Sequence, residues 1–176
     1  AWYHDGIHYC IEHGLMNGVS DSSFAPNDTT TRAQIVTLLY RLEGEPDVDN
    51  AIDFTDVPEG EWYSDAVCWA AGEDIVEGYG NGLFGTNDPV TREQLAAIFY
   101  RYAVCKGYDV SIGEDTNILS YEDFSDLSEY AIPAMQWACG TGIVNGTSES
   151  TLEPQGNATR AQIAAILMRF CENAAQ

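Results

Sequence analysis

The chain has 176 residues, 45% of them apolar and 11% aromatic, so it can bury a hydrophobic core and is not expected to be disordered. Its formal net charge of −21 excludes a nucleic-acid-binding surface, which needs clustered Lys and Arg, and argues against docking on acidic lipid. No apolar run approaches the roughly 20 residues that cross a bilayer, so we expect no membrane insertion.

Internal repetition is the dominant feature of the sequence. Residues 1–44 align with residues 61–104 without a gap and with twelve identities, and a third copy follows at a further shift of 68. Because one short unit cannot bury a core alone, we expect the copies to fold together as one compact module. The first copy lacks the lead segment of the other two, which predicts that it is truncated at its amino-terminal side. The predicted repeats are residues 1–44, 54–104 and 124–173.

Each repeat is predicted to form a helix, a loop and a second helix. The first helices are expected over residues 5–13, 65–71 and 131–139, each ending near a glycine that stops it. These stop glycines are Gly14, Gly72 and Gly140. A turn-rich loop follows, with glycines at equivalent positions that permit positive φ or a close approach to the backbone. They are Gly18, Gly78 and Gly146.

The second helix has the clearest local signal. Segments 31–34, 91–94 and 159–162 each begin with Thr and end with Gln, the pattern of a capping box in which each side chain bonds the other residue's amide. Apolar residues then recur at helical spacing and predict one buried stripe per helix. The stripes are Ile35, Leu38, Leu39 and Leu42; Leu95, Ile98, Phe99 and Tyr102; and Ile163, Ile166, Leu167 and Phe170.

Acidic, turn-rich connectors are expected at about 43–53 and 104–123. Segments 54–57 (Phe-Thr-Asp-Val) and 124–127 (Phe-Ser-Asp-Leu) stand before the second and third repeats. We interpret each as an apolar anchor followed by an Asp, Asp56 or Asp126, that caps a short helical turn.

Six of the seven basic residues occupy two recurring positions. One set lies in the last turn of each second helix, where a cation complements the helix dipole and a structural role suffices; it comprises Arg41, Arg101 and Arg169. The other set lies in the first turn, where the dipole disfavours a cation; it comprises Arg32, Arg92 and Arg160. Two readings of the first-turn set stay open. The arginines pair with carboxylates of a neighbouring repeat, or guanidinium and free amino-terminal amides together bind an anionic ligand.

Aromatic residues fall into two groups. Trp2 and Trp62 precede the first helix near a repeat boundary and are candidate platforms for a sugar ring, whereas Tyr9, Trp69 and Trp137 on the first helix are expected in the core.

No residue pattern supports catalysis or a metal site. His4, His8 and His13 occur only in the first repeat without a supporting carboxylate spacing, so we expect surface residues rather than ligands. The five cysteines are an odd number without CxxC spacing, which favours buried free thiols over a disulfide framework. The sequence contains no nucleophile elbow, P-loop or dinucleotide fingerprint, so neither catalytic residues nor a cofactor are expected.

Together these residues resemble the S-layer homology (SLH) domain family. Its pattern combines an F-x-D-V lead, G-I-x-x-G, a G-x-F-x-P loop and T-R-A-E, and the resemblance covers nearly the whole chain. The best-matching segments are 54–57, 75–78, 82–84 and 91–94, with the F-x-P element of the other repeats at 24–26 and 152–154. This chain departs from the pattern by carrying Gln where the family motif ends in Glu.

The resemblance implies an all-α fold of three helix-loop-helix repeats, arranged with pseudo-threefold symmetry around a central three-helix bundle. It also implies grooves between neighbouring repeats that bind secondary cell-wall polymers, often pyruvylated. By motif position, Arg32, Arg92 and Arg160 look like the residues that engage the ketal carboxylate. The equivalent glycines, Gly18, Gly78 and Gly146, look like the backbone floor of each groove.

On this resemblance we expect a non-catalytic, extracellular module that anchors a surface protein to the cell wall or S-layer of a bacterium by binding an anionic polysaccharide. The main alternative is a protein–protein module that contacts other surface-layer proteins or self-assembles with them. A domain that hydrolyses wall sugars is the third reading, which release of reducing ends from the polymer would reveal.

Overall fold

The computed structural model describes residues 1–49 and 53–175. Within these ranges the chain forms six α-helices and three short 3-10 helices and has no β-strand beyond isolated bridges, so the predicted all-α class is confirmed. The α-helices are α1 (His4–Glu12), α2 (Arg32–Leu42), α3 (Ser64–Gly72), α4 (Arg92–Cys105), α5 (Ile132–Gly140) and α6 (Arg160–Asn173). The 3-10 helices are Ser111–Asp115, Phe124–Asp126 and Glu129–Ala131. In the described ranges, every helix is too short or too polar to cross a membrane.

The first helix of each repeat lies within about a residue of its predicted bounds and ends near its predicted glycine. Two of these glycines, however, are not the residue at which the backbone turns left-handed. Gly72 and Gly140 form the last residue of α3 and α5. The chain turns out of the helix two residues later, where the equivalent positions are left-handed in all three repeats. These positions are Gly14 (φ 66°), Asp74 (φ 57°) and Gly142 (φ 73°).

The second helices form as their local signals predict. All three capping boxes are present; Thr31 Oγ1 accepts from the Gln34 amide, and Gln34 Oε1 accepts from the Thr31 amide at 2.9 Å. Every member of the predicted apolar stripes is buried except Leu42, which is half-buried. The rings of Phe99 and Phe170 lie 5.2 Å apart and join α4 to α6 in this core.

The repeats interlock as a closed cycle. Each first helix packs on the second helix of the preceding repeat: α3 on α2, α5 on α4, and α1 on α6. The last of these contacts brings the two backbones close together at Gly6, where an added Cβ would lie 2.8 Å from the backbone of Ala165. The cycle is observed, whereas exact pseudo-threefold symmetry about a central bundle stays a prediction.

Three backbone hydrogen bonds form a ring that links the three repeats just before their second helices begin. The amide of Thr30 donates to Ala158 (3.2 Å), that of Ala158 donates to Val90 (2.8 Å), and that of Val90 donates to Thr30 (2.9 Å). All three residues are buried. Each repeat therefore both donates to one neighbour and accepts from the other, so none of the three bonds forms within a single repeat.

The predicted lead segment of the third repeat is out of register. In the second repeat, Asp56 does not cap a helical turn but accepts hydrogen bonds from the loop amides of residues 84, 85 and 86, at 2.8, 2.8 and 3.1 Å. In the third repeat, the equivalent carboxylate is that of Asp123, which accepts from the amides of Leu152 and Glu153. Asp126 lies three residues too late to reach this loop.

The connectors are only partly irregular. The second contains the 3-10 helix Ser111–Asp115, which packs on α5. In the first connector, residues 50–52 lie outside the described residues.

Cysteine and core aromatic positions follow the sequence expectation in part. Trp69 and Trp137 are buried and Tyr9 is half-buried. All five cysteines are free, but Cys10 alone is fully buried and Cys105 is exposed. Burial raises the pKa of Cys10 to about 12, so its thiol is protonated at neutral pH.

Two buried polar side-chain atoms lack a hydrogen-bond partner in the described part of the chain, Thr30 Oγ1 and Trp137 Nε1. The Thr30 hydroxyl is buried without a hydrogen-bond partner in the described part of the chain, whereas the equivalent residue of the second repeat is Val90. Thr30→Val should therefore raise the free energy of unfolding by about 1 kcal/mol, since it removes an unsatisfied buried hydroxyl. Urea denaturation would measure the change. Thr86→Val is the control, because the Thr86 hydroxyl donates to the backbone carbonyl of Asp56 at 2.8 Å. This variant should lower the free energy of unfolding. Equal effects of the two variants would contradict the assignment.

The Asp56 carboxylate makes stability depend on pH. Burial raises its pKa, but the three loop amides outweigh burial and hold the pKa below its usual 3.8. Because the folded pKa is the lower one, its stabilisation is complete above a pH of about 4 and is lost as the pH falls through the folded pKa. Asp56→Asn should cost roughly 2 kcal/mol of unfolding free energy at neutral pH, and less at acid pH.

Chemical denaturation at several pH values would test this. Asp126→Asn is the matched control, because its carboxylate is exposed and accepts no loop amide. An equal loss in the control, or a loss in Asp56→Asn that does not shrink at acid pH, would contradict the role of this carboxylate.

Candidate functional site

Three grooves occupy equivalent places between neighbouring repeats. Each is lined by an arginine from the start of one second helix, here called the inner arginine, and by the loop glycine of the following repeat. Each also contains an arginine from the carboxyl-terminal half of that repeat's second helix, here called the outer arginine, and an aromatic residue from the remaining repeat. We name each groove by its inner arginine.

The lining residues repeat this composition. The Arg92 groove, with a volume of about 380 Å³, includes Gly146, Arg169 and Trp2. The Arg32 groove, about 290 Å³, includes Gly78, Arg101 and Tyr130. The Arg160 groove, about 260 Å³, includes Gly18, Arg41 and Trp62. All eight residues predicted from the sequence therefore lie in these grooves.

Each inner arginine bridges the two ends of the loop in the following repeat. In Arg32, Nε donates to Phe84 O (2.9 Å) and Nη2 to Glu77 O (2.8 Å). In Arg92, Nε donates to Leu152 O (2.7 Å) and Nη2 to Asn145 O (2.9 Å). In Arg160, Nε donates to Phe24 O (2.8 Å) and Nη2 to Asn17 O (2.6 Å). These charge-assisted bonds to carbonyl oxygens offset the unfavourable placement of a cation at a helix start.

The sequence left two interpretations of the first-turn arginines open, an ion pair with a neighbouring repeat and an anion site shared with free helix amides. Neither is right in full. No carboxylate lies within 4.0 Å of an arginine in the described ranges, so the inter-repeat ion pair is wrong. Free helix amides are wrong as well, since the first two amides of each second helix donate to carbonyls of the following repeat's loop. In α4, for example, Arg92 donates to Gly156 and Glu93 to Pro154. The third amide of each helix donates to the capping Thr.

One nitrogen of each inner arginine is left over. Nη1 of Arg32, Arg92 and Arg160 has no hydrogen-bond partner among the described residues. This atom is not fully buried in any of the three, so water can reach it. The side chains are otherwise well covered, with 7% of Arg32 and 5% of Arg92 exposed. Burial lowers the pKa of all three groups from the usual 12.5, and they stay charged at neutral pH. Each groove thus presents a partly desolvated cation.

The outer arginines were missed as site residues. The predicted place in the last turn is right for Arg41 and wrong for Arg101 and Arg169, since α4 and α6 continue beyond them. Each of the three lies in a groove with an inner arginine. Repulsion from Arg101 contributes to lowering the pKa of Arg32, so the two cations are close enough to interact. Their recurrence at one position was the available signal, since a dipole role does not require the same residue three times.

The loop glycines act through close approach rather than positive φ. A Cβ on Gly18 would lie 2.6 Å from Ser20 O, and one on Gly78 would lie 2.9 Å from Leu83 O. None of the three loop glycines has positive φ. Their amides also have no acceptor within the described ranges. In place of helix amides, each groove therefore has one loop amide available for a ligand.

Exposed aromatic rings flank the grooves. Trp2 is 65% exposed and Trp62 is 61% exposed, as expected of a sugar platform rather than of core residues. Tyr130, 54% exposed, takes the equivalent place in the Arg32 groove and was missed, although the shift of 68 residues aligns it with Trp62. The histidines are surface residues, with His8 near Glu12 at 3.3 Å.

Comparison with known proteins gives the same family three times over. The S-layer homology domain pattern matches residues 1–36, 53–96 and 121–164. The chain is 34% identical over 97% of its length to an amylopullulanase of Thermoanaerobacterium thermosulfurigenes. It is 30% identical over 97% of its length to the exoglucanase XynX of Acetivibrio thermocellus. It is also 25% identical over 96% of its length to an S-layer protein of Bacillus thuringiensis subsp. finitimus.

The chain spans only a small part of these relatives: 9% of the amylopullulanase, 16% of the exoglucanase and 20% of the S-layer protein. What they share with it is the repeated module, which occurs in enzymes and in surface-layer proteins alike. That distribution fits a wall-binding part. The chain belongs to the S-layer homology domain family, whose members are extracellular modules that hold surface proteins at the bacterial cell wall.

Proposed function

We propose that the grooves bind an anionic secondary cell-wall polysaccharide, with a pyruvate ketal as its recognised group, and that the chain anchors its parent protein without catalysing a reaction. The observation that carries this is the state of the arginines. The chain has 28 acidic residues, yet within the described ranges no arginine pairs with any of them. Two cations that share a groove and have no carboxylate within ion-pair distance are suited to an anion from outside.

The groove composition fits a charged sugar. A ketal carboxylate can accept from Nη1 of the inner arginine and from the outer arginine, and such charge-assisted bonds are about twice as strong as neutral ones. The loop glycine's amide offers a further donor. An exposed aromatic face beside these donors can stack on the sugar ring or on the ketal methyl group. Helix amides play no part, since all are occupied.

Several grooves on one chain suit permanent attachment. Linked weak sites on a repeating polymer gain about 10²–10⁴ in avidity without any new contact. The module needs no covalent chemistry to hold a much larger protein, and no catalytic group takes part in this mechanism.

Inner and outer arginines should respond differently to substitution. Arg41→Gln should change the unfolding free energy by less than about 0.5 kcal/mol, because no partner of Arg41 lies in the described ranges. It should nonetheless lower capture by purified, deproteinised walls several-fold. Arg160→Gln should lower both capture and stability, the latter by about 1–3 kcal/mol, because the carbonyls of Phe24 and Asn17 lose their donor.

Co-sedimentation with walls and urea denaturation would measure the two effects, with Lys106→Gln as the control that removes a cation outside the grooves. The same walls stripped of pyruvyl groups should capture little protein. Undiminished capture by stripped walls would refute the ketal as ligand. If the inner arginines are purely structural, Arg160→Gln should instead lower stability while capture per folded molecule stays intact.

Salt dependence should be shallow. Protein and polymer are both acidic, so long-range steering is unfavourable, and moderate salt screens that repulsion. Capture should therefore rise or stay unchanged on addition of moderate salt or divalent cations, as wall co-sedimentation at increasing ionic strength would show. A steep loss of capture would contradict this balance of charges.

A further inference from the structure

The Arg32 groove differs from the other two in the residues on either side of its glycine. Its loop carries Glu77 and Tyr79 around Gly78, where the Arg92 groove has Asn145 and Thr147 and the Arg160 groove has Asn17 and Val19. All of these residues line their grooves.

Tyr79 occupies space above the cation. Its ring centroid lies 5.0 Å from Cζ of Arg32, and the buried ring of Phe84 lies 4.6 Å from the same atom. The Tyr79 hydroxyl donates to Asp88 Oδ2 at 2.7 Å, and the ring packs on the backbone at Gly85, so the side chain is held in place. Neither Thr147 nor Val19 can cover an arginine with a ring. Arg160 has one aromatic partner, the ring of Phe24 at 4.5 Å, whereas Arg32 has a second ring, that of Tyr79.

Glu77 adds a negative charge to the same groove. The described lining of the Arg32 groove contains two arginines and one carboxylate, whereas the linings of the Arg92 and Arg160 grooves contain two arginines and no carboxylate. Glu77 is an exposed residue, and its negative charge opposes the approach of an anion to this groove. The ring of Tyr79 and the charge of Glu77 therefore both oppose the binding of an anion in the Arg32 groove.

We propose that the three grooves are not equivalent: the Arg92 and Arg160 grooves bind the anionic sugar, and Glu77 and Tyr79 make the Arg32 groove select against it. This inference rests on the proposed function, since it assigns the anion to particular grooves. The module then anchors through two points, at the junctions of the third repeat with the second and with the first. The third groove is left to a neutral part of the polymer or stays empty.

The loop side chains of the Arg32 and Arg92 grooves can be exchanged without loss of the hydrogen bonds that hold the inner arginines. The backbone carbonyls of Glu77 and Asn145 accept equivalent bonds from Arg32 and Arg92, so exchanging these side chains leaves both bonds in place. The double variant Glu77→Asn/Tyr79→Thr gives the Arg32 groove the loop sequence of the Arg92 groove. The reverse variant, Asn145→Glu/Thr147→Tyr, does the opposite.

The amides of Gly18, Gly78 and Gly146 report on the grooves one at a time in proton–nitrogen correlation spectra. The probe is a methyl hexopyranoside carrying a pyruvate ketal, and the same sugar without the ketal is its control. In the unmodified chain, Gly18 and Gly146 should reach half-saturation at a probe concentration roughly tenfold lower than Gly78. Glu77→Asn/Tyr79→Thr should bring Gly78 to the concentration of the others, and the reverse variant should weaken the response of Gly146 alone.

The outcomes separate this inference from the proposed function. If no glycine responds to the ketal sugar, the proposed function fails. If all three respond at one concentration, the function stands and the inference fails. If Glu77→Asn/Tyr79→Thr weakens the response of Gly78, the Tyr79 ring is a binding surface rather than a cover, and the inference is likewise overturned.

Discussion

The contact between each inner arginine and the next repeat's loop governs both the assembly and the grooves. The guanidinium of Arg92, for example, holds the carbonyls of Asn145 and Leu152, the two ends of one loop. Because those carbonyls belong to a different repeat, the bond fixes the position of one repeat relative to the next. Repeated around the cycle, it closes the module and shapes a groove at every junction.

The same side chain therefore serves stability and recognition through different atoms. Nε and Nη2 are committed to the scaffold, which orients the planar guanidinium and lets Nη1 face solvent at a fixed position. A donor held in this way loses little conformational entropy when a ligand arrives. The cost of placing a cation at a helix start is offset by the scaffold bonds, so the site exists before the ligand binds.

The distribution of charge also leaves the arginines available to an anionic ligand. Acidic residues dominate the chain as a whole, but none pairs with an arginine in the described ranges, and two of the three grooves have no carboxylate in their lining. An acidic surface keeps an extracellular module soluble. Had the carboxylates paired with the arginines, the cations would have been neutralised where an anionic polymer needs them. The exception is the Arg32 groove, whose lining includes Glu77.

By itself, the sequence determined the all-α class, the three repeats, the helix bounds, the capping boxes and the buried stripes, because each depends on bonds or packing with a period of a few residues. Tertiary structure alone decided what the arginines touch. Arg160 bonds Asn17, which lies 143 residues away, and no local pattern specifies such a pair. For the same reason the register of Asp123 and the place of the outer arginines escaped the sequence: their partners are set by how one repeat docks on the next.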